Sequence, residues 1–199
     1  FTMIYKNSQK RIYIENQTYF LTTNTYKYYP FFKHDLLCEL FLEELSLCQK
    51  LKGFTLFGYK INPNHAHLMI KPNKTHDFSK IMQFTKRHFA RNCNLLIPST
   101  KATLANVAFR SESDLLIKEF QKNFSKNYLQ NKHTEIKNLP PFKWQKSFHY
   151  HIIEDNFDFY NHLAYIKTQW IKHKQSENKW CYIHPEYKLL IPKEIDWEI

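Results

Sequence analysis

The order of helical and strand patterns along residues 17–173 limits the folds available to this chain. Alternating β-branched and aromatic positions predict strands, whereas apolar positions three and four residues apart predict helices. In chain order the segments are a strand at 17–25, a helix at 34–51, strands at 54–61 and 65–71, a helix at 77–92, a strand at 144–153 and a helix at 155–173. The first six follow the split βαβ pattern of ferredoxin-like folds. We therefore predict an α+β domain, an antiparallel sheet with helices on one face and the other face free for a site.

Local signals support these boundaries. Gly53 follows the leucine-rich helix and is a typical helix C-terminal residue. Asn62-Pro63-Asn64 predicts a tight turn between the two central strands. The chain holds only two glycines, Gly53 and Gly58, which excludes glycine-rich phosphate-binding loops.

The length of 199 residues suits a single domain, residues 1–199, with additions to the sheet. Residues 93–143 form a predicted insertion that contains one helical pattern at 113–129. Residues 174–199 form a tail that we expect to pack on the body through its aromatic side chains. These are Trp180, Tyr182, Tyr187 and Trp197.

The chain is basic, with 29 Lys and Arg against 18 Asp and Glu and a net charge of +11. Such a charge suits a polyanionic partner, most often nucleic acid, although an AT-rich genome also enriches lysine. The sequence shows neither a bilayer-spanning apolar run nor a signal-peptide pattern. The cysteines are scattered without a CxxC pair, which indicates a reducing compartment. We expect a cytoplasmic, nucleoid-associated bacterial protein with no membrane partner.

The segment NPNHAHLMI contains a pair of histidines on a predicted strand. Residues two apart in a strand point to the same face, so His65 and His67 stand side by side on the open face. Two such imidazoles can bind one divalent ion. His149 and His151 form a second pair of the same kind, and the pattern alone does not choose between the two pairs.

The last predicted helix carries a tyrosine in the middle of its polar face. On a helical projection of residues 155–173, Tyr165 lies opposite the apolar side, so it is either functional or covered by the tail. Gln169 follows one turn later on the same face.

Several segments together resemble one enzyme family. NPNHAHLMI resembles the HUH motif of single-tyrosine transposases, and SKIMQFTKRHFARNCN is similar to that family's second helix. WQKSFHYHIIEDNFDFYNHLAYIK is similar to its closing strand and tyrosine-bearing helix. The subgroup with the greatest likeness is the REP-associated tyrosine transposases, which share the run WQ…F…H.I.…D. The resemblance covers most of residues 17–92 and 142–172.

The resemblance implies an HUH-endonuclease fold and a transposase that cleaves and rejoins DNA. His65 and His67 would bind the metal, Gln169 would be its third ligand, and Tyr165 would be the nucleophile that forms a 5′-phosphotyrosine. Many REP-associated members carry another polar residue in place of Gln169. Neutral ligands suit Mg²⁺ or Mn²⁺ beside an anionic phosphodiester, and the imidazoles favour Mn²⁺.

The implied partner is single-stranded DNA beside an imperfect hairpin, bound by a monomer or a homodimer. Basic residues of the second helix and of the segment around Trp144 are candidate phosphate contacts, and each could equally be a solvated surface residue. They are Lys80, Lys86, Arg87, Arg91, Lys143 and Lys146. His149, His151 and His162 receive no role.

The chain departs from the subgroup in two places, which leaves rival hypotheses open. The insertion is unusual, and TQWIKH stands where the subgroup has an asparagine–proline pair. One rival is a domesticated or replication-type HUH nickase. The other is a non-catalytic ferredoxin-like nucleic-acid binder, which would carry aromatic residues where this chain has His65 and His67.

Overall fold

The computed structural model of the chain describes residues 11–97, 115–130 and 134–189. Its strands and longer helices are β1 (Tyr19–Asn24), α1 (Asp35–Lys52), β2 (Thr55–Asn62), β3 (His65–Lys71), α2 (Phe78–Leu96), α3 (Leu115–Phe124), β4 (His149–Ile152), α4 (Asn156–Lys172), β5 (Cys181–Ile183) and α5 (Pro185–Lys188). A π-helical turn, Ser125–Leu129, continues α3, and 3₁₀ turns occupy Tyr26–Tyr28, Phe31–Lys33 and Thr134–Ile136.

The five strands form one antiparallel sheet in the order β4-β1-β3-β2-β5. The first four strands have the order of a ferredoxin-like sheet, which confirms the fold predicted from the sequence. The fifth strand comes from the tail, where residues 181–183 pair with Gly58, Tyr59 and Lys60 of β2. The tail therefore extends the sheet, while Trp197 lies outside the described residues.

The predicted ends of α1 and the predicted starts of α2 and α4 agree with the local geometry, whereas α2 runs to Leu96, four residues beyond its predicted end at residue 92. Gly53 ends α1 in the left-handed conformation with φ of 68°, and its N–H donates to the carbonyl of Gln49 at 2.8 Å. Asp77 and Asp155 begin α2 and α4, each accepting a hydrogen bond from a backbone N–H three residues on. The cap at Asp155 thus fixes the residue at which α4, the helix that contains Tyr165, begins.

The main core lies between one face of the sheet and helices α1 and α2. Leu21 and Leu68 of the sheet are fully buried there with Phe41 of α1 and Phe89 of α2. The described part of the insertion joins the same core through Phe124 and Tyr128, whereas residues 98–114 and 131–133 lie outside the described residues.

Helix α4 partly covers the opposite face of the sheet. The prediction that all helices lie on one face therefore needs correction for this helix. Leu163 and Ile166 of α4 pack against Phe57 and Met69 of the sheet, since the apolar side of this helix needs a surface to cover. A methyl group at Gly58 would lie 3.2 Å from Ile166 Cδ1 and 3.0 Å from a β5 carbonyl. The glycine thus allows α4 and β5 to approach β2 closely.

Strand β4 is shorter than the predicted strand at 144–153. Trp144 makes only an isolated bridge to Thr25, and its indole N–H donates to the carbonyl of Lys86 at 3.0 Å. Its ring packs against Phe89 and Phe142 of the main core. Trp144 is therefore held by core packing and is not part of a continuous strand.

Within the described segments, no helix combines the length and hydropathy that a membrane span requires. All four cysteines are free thiols, and three of them are buried.

A carboxyl group is buried between α1 and α2. Glu44 is fully buried; one of its oxygens accepts a hydrogen bond from Asn92, and the other lies 4.0 Å from His88 Nδ1. Burial raises the pKa of Glu44 to about 8 and lowers the pKa of His88 to about 4. Both groups are therefore neutral near pH 7, which avoids a buried charge.

The Glu44 carboxyl is expected to make stability fall as the pH rises. Its pKa is raised in the folded state, so between its ordinary value of 4.5 and about 8 the unfolded chain binds fewer protons than the folded chain. Relative to Glu44→Gln, the native chain should lose unfolding free energy by roughly 1 kcal/mol per pH unit in this window. Urea denaturation at pH 6 and pH 8 measures it, with exposed Glu39→Gln as the control; equal slopes in native and Glu44→Gln proteins would contradict it.

Candidate active site

The two histidines of β3 lie together on the face of the sheet that α4 covers. His65 is 9% exposed and His67 is 4% exposed. Their Nε2 atoms are 3.1 Å apart, and the two rings meet edge to face at 4.8 Å between centroids. Strand alternation thus brings the pair together as predicted, in a position largely shielded from water.

The other ring nitrogens are held by neighbouring polar groups. His65 Nδ1 lies 2.7 Å from Asn64 Oδ1, and His67 Nδ1 lies 2.9 Å from Thr22 Oγ1. Because an amide oxygen can only accept, His65 Nδ1 carries the proton and its Nε2 holds a lone pair. Asn62 Nδ2 donates to that lone pair at 3.0 Å. Thr22 can accept from His67 Nδ1 in the same way, so both Nε2 atoms are available as ligands.

Both imidazoles are neutral at ordinary pH. Burial, together with the nearby charges of His173 and Lys172, lowers the pKa of His65 to about 4. Burial and the neighbouring His65 lower the pKa of His67 to about 3, against a hydrogen bond to the Gln169 side chain that acts to raise it. Neutral imidazole is the form that binds a metal ion.

The donor set fits a divalent metal ion. Two nitrogens 3.1 Å apart can both lie at a bonding distance of ~2.1 Å from one ion, a common metal–imidazole distance. Gln169 is 2% exposed, contacts His67, and its side-chain oxygen lies 3.2 Å from His173 Nε2. A cation between the two Nε2 atoms would take the place of the Asn62 amide at the lone pair of His65. The residues present therefore suit a bound divalent ion.

Tyr165 lies beside the histidine pair in the middle of α4. Its ring is 5.3 Å from the His67 ring and 5.8 Å from Phe20, both in edge-on contacts. Lys172 Nζ lies 5.6 Å from the centre of the Tyr165 ring, so a positive charge stands near the phenol. The tyrosine is half-buried and its ring contacts the histidine pair, so the polar face predicted for this helix lies towards the histidines.

His173 is a site neighbour that the sequence analysis missed. Its ring is 4.9 Å from the His65 ring, and it lies one helical turn beyond Gln169. The spacing Tyr165, Gln169, His173 in steps of four was a usable signal, because such residues share one side of a helix. Burial lowers the pKa of His173, in the same direction as for His65 and His67.

The candidate DNA contacts fall into two groups. Four of them, Lys80, Lys86, Arg87 and Lys146, line a groove of about 610 Å³ between α2 and residues 144–148. Arg91 and Lys143 lie outside this groove.

Lys86 has a structural task in the groove. Its ammonium group donates to the carbonyls of Gln145 and Ser147 at 3.0 and 2.9 Å, and burial lowers its pKa to about 8. It therefore ties α2 to the segment before β4, while the exposed Arg87 and Lys80 face the solvent of the groove.

The competing pair on β4 does not join the β3 histidines. His149 is exposed, and His151 hydrogen-bonds Asp158 of α4 at 2.8 Å. The structure therefore associates only the β3 pair with Tyr165 and Gln169.

Comparison with known proteins gives a family match and two structural relatives. The profile of the family described as Transposase IS200 like matches residues 13–113. A solved structure of a REP-associated tyrosine transposase bound to a REP hairpin is 18% identical, covers 82% of this chain and 72% of that chain, and has a TM-score of 0.54. A candidate transposase from Deinococcus radiodurans R1 is 12% identical, covers 85% of this chain and 98% of that chain, and has a TM-score of 0.42. No curated protein matches the sequence significantly.

Proposed function

Since this chain belongs to the IS200-like transposase family, we propose that it is a metal-dependent endonuclease and strand transferase that acts on single-stranded DNA. The observation that carries the proposal is the convergence of His65 and His67 Nε2 atoms, 3.1 Å apart, directly beside the ring of Tyr165. Metal-assisted phosphoryl transfer requires a nucleophile and a metal ion bound next to it. Here the candidate nucleophile contacts the candidate metal ligands.

His65, His67 and Gln169 would hold Mg²⁺ or Mn²⁺, with Mn²⁺ favoured by the two imidazoles. When bound, the ion supplies Lewis-acid polarisation of a non-bridging oxygen of the scissile phosphate. Asn64 and Thr22 orient the two rings through their Nδ1 atoms, so the ligand atoms keep their direction when the substrate arrives.

Tyr165 is the proposed nucleophile. Its phenol oxygen forms a bond to phosphorus while the bond to the 3′ oxygen breaks, which leaves a 5′-phosphotyrosine and a free 3′-OH that has taken up a proton. The phenol proton must leave as the oxygen attacks, and the Lys172 ammonium group lies 5.6 Å from the centre of the ring. Because the phosphodiester energy is retained, another 3′-OH can reverse the step, which gives strand transfer.

DNA with a hairpin is the proposed substrate. The REP-associated structural relative is described as bound to a REP hairpin, which supports this class of DNA. The groove of Lys80, Arg87 and Lys146, with the aromatic rings of Trp144 and Phe148 in its wall, offers phosphate contacts and stacking surfaces.

Removing an exposed cation from the groove is expected to weaken DNA binding at every sequence to a similar degree. For Arg87→Ala we expect a several-fold weaker affinity, and the slope of log K against log salt should decrease by ~0.7–0.9 for each phosphate that the variant no longer neutralises. Fluorescence anisotropy with a labelled hairpin oligonucleotide at several salt concentrations measures both. Lys50→Ala, an exposed lysine of α1, is the matched control; an equally weakened affinity in this control would rule out a specific role for the groove.

The proposed activity is tested by incubating the protein with Mn²⁺ and end-labelled single-stranded hairpin DNA. We expect cleavage, a covalent protein–DNA product, and loss of both on chelation of the metal. Tight binding without cleavage in Mn²⁺ or Mg²⁺ would instead favour a non-catalytic nucleic-acid binder.

A further inference from the structure

Three side chains between β4 and α4 form a second cluster of metal-ligand type. Asp158 Oδ2 lies 2.8 Å from His151 Nε2, and Asp158 Oδ1 lies 2.8 Å from His162 Nδ1. The two imidazole rings are stacked at 4.7 Å between centroids. The ligand atoms of all three residues lie within 4.8 Å of one another.

The fold brings these residues together from two consecutive elements, β4 and α4. His151 pairs with Phe20 in the β1–β4 register, which places it beside the first turns of α4. Asp158 and His162 are four residues apart on α4 and so share one side of the helix. The cluster is accessible, since the side chain of His151 is 47% exposed and that of Asp158 is 21% exposed.

The cluster is separate from the β3 histidines. The Phe20 ring stands between them, 5.2 Å from the His67 ring and 4.6 Å from the His162 ring. One ion therefore cannot serve both groups of ligands, because a phenyl ring occupies the space between them.

Asp158 is suited to hold a cation. Burial acts to raise its pKa, but hydrogen bonds from His151 and from the backbone N–H of Glu154, with the charges of the histidines, lower it overall. The carboxylate is ionised at neutral pH and accepts from one ring nitrogen of each imidazole, and a metal ion bound there would displace these two ring protons. One carboxylate and two imidazoles are a ligand set that borderline transition-metal ions prefer over Mg²⁺.

We propose that His151, Asp158 and His162 form a second metal site that takes a transition-metal dication such as Zn²⁺ or Co²⁺. With three protein ligands and an accessible side, the ion keeps a position for water or a phosphate oxygen. Asp158, His162 and Tyr165 lie on one side of α4, so the ion adds a positive centre next to the nucleophile. A phosphate neighbouring the scissile one is the ligand of the right charge for it.

Metal stoichiometry tests this site independently of DNA cleavage. Co²⁺ is titrated into the full chain, with binding followed by calorimetry and by the visible absorption of Co²⁺. The native protein should bind two equivalents of Co²⁺. His151→Gln and His162→Ala should each bind one equivalent, at the β3 histidines. His67→Ala should also bind one, with the absorption spectrum of the cluster between β4 and α4. His149→Ala, which removes an exposed histidine of the same strand, should keep two.

The proposal is overturned if His151→Gln and His162→Ala both bind as many equivalents as the native chain. Loss of one equivalent in His149→Ala would also overturn it, because Co²⁺ would then bind to exposed histidines without a defined site. His151→Gln lies on a strand and leaves the α4 cap intact, so circular dichroism should show an unchanged fold. A protein that cleaves no DNA but binds two equivalents would reject only the proposed function.

Discussion

Replacement of Tyr165 by phenylalanine is expected to abolish the covalent protein–DNA product and to lower strand cleavage on the order of 10³-fold or more, as loss of a nucleophile does in other enzymes. The substitution removes only the phenol oxygen. The ring keeps its edge-on contacts with His67 and Phe20, so the fold and the metal ligands should remain as they are. Cleavage of a labelled hairpin oligonucleotide in Mn²⁺, with denaturing gels to detect the adduct, measures both effects.

Tyr160 offers a matched control for this variant. It lies on the same helix and is also partly buried against the cluster of Phe20, Leu163 and Ile166. Tyr160→Phe should retain cleavage and adduct formation close to the native level. An adduct that persists in Tyr165→Phe and disappears in Tyr160→Phe would move the nucleophile by more than one helical turn and reject the proposed mechanism.

The second large effect is expected from the histidine pair. His67→Ala should lower Mn²⁺ affinity by more than ~100-fold, since loss of a hydrogen-bond partner behind a metal ligand alone costs ~10–100-fold. Thr22→Val, which keeps the shape of the residue but removes the acceptor for His67 Nδ1, should fall between this variant and the native chain. Mn²⁺ titration followed by electron paramagnetic resonance measures affinity, and DNA cleavage should decline in the same order.

The burial of His67 requires a control for folding. Alanine leaves a cavity at a position that is only 4% exposed, so His67→Gln provides a second variant of more similar size. Both variants should show native circular dichroism and DNA binding with reduced cleavage. If both variants bound Mn²⁺ with the affinity of the native chain, the assignment of His65 and His67 as metal ligands would be contradicted.

The facing of the β3 side chains, the end of α1 and the turn between β2 and β3 could be predicted from the sequence because their determinants are local. Alternation along residues 65–71 places apolar side chains on the α1–α2 side and the two histidines on the other side, and the structure has this arrangement. Gly53 and Asn62-Pro63-Asn64 mark the helix end and the turn through backbone preferences that do not depend on the rest of the fold.

The features that could not be predicted depend on contacts between distant segments. The pairing of residues 181–183 with β2 is possible because Gly58 has no side chain to block them, a relation that no local pattern reveals. Lys86 has the same appearance in the sequence as a free DNA-binding lysine, yet its ammonium group is hydrogen-bonded to two backbone carbonyls. His173 enters the site only because α4 crosses the sheet with this side towards His65.

We propose that Tyr165 attacks DNA beside His65 and His67, the proposed metal ligands. The most direct test is mass-spectrometric mapping of the covalent product after the protein has cleaved a hairpin oligonucleotide in Mn²⁺. We predict a 5′-phosphorylated DNA fragment attached to the peptide that contains Tyr165, and no adduct in the His65→Ala protein. DNA attached to a different residue, or cleavage by native protein with no attached DNA, would contradict it.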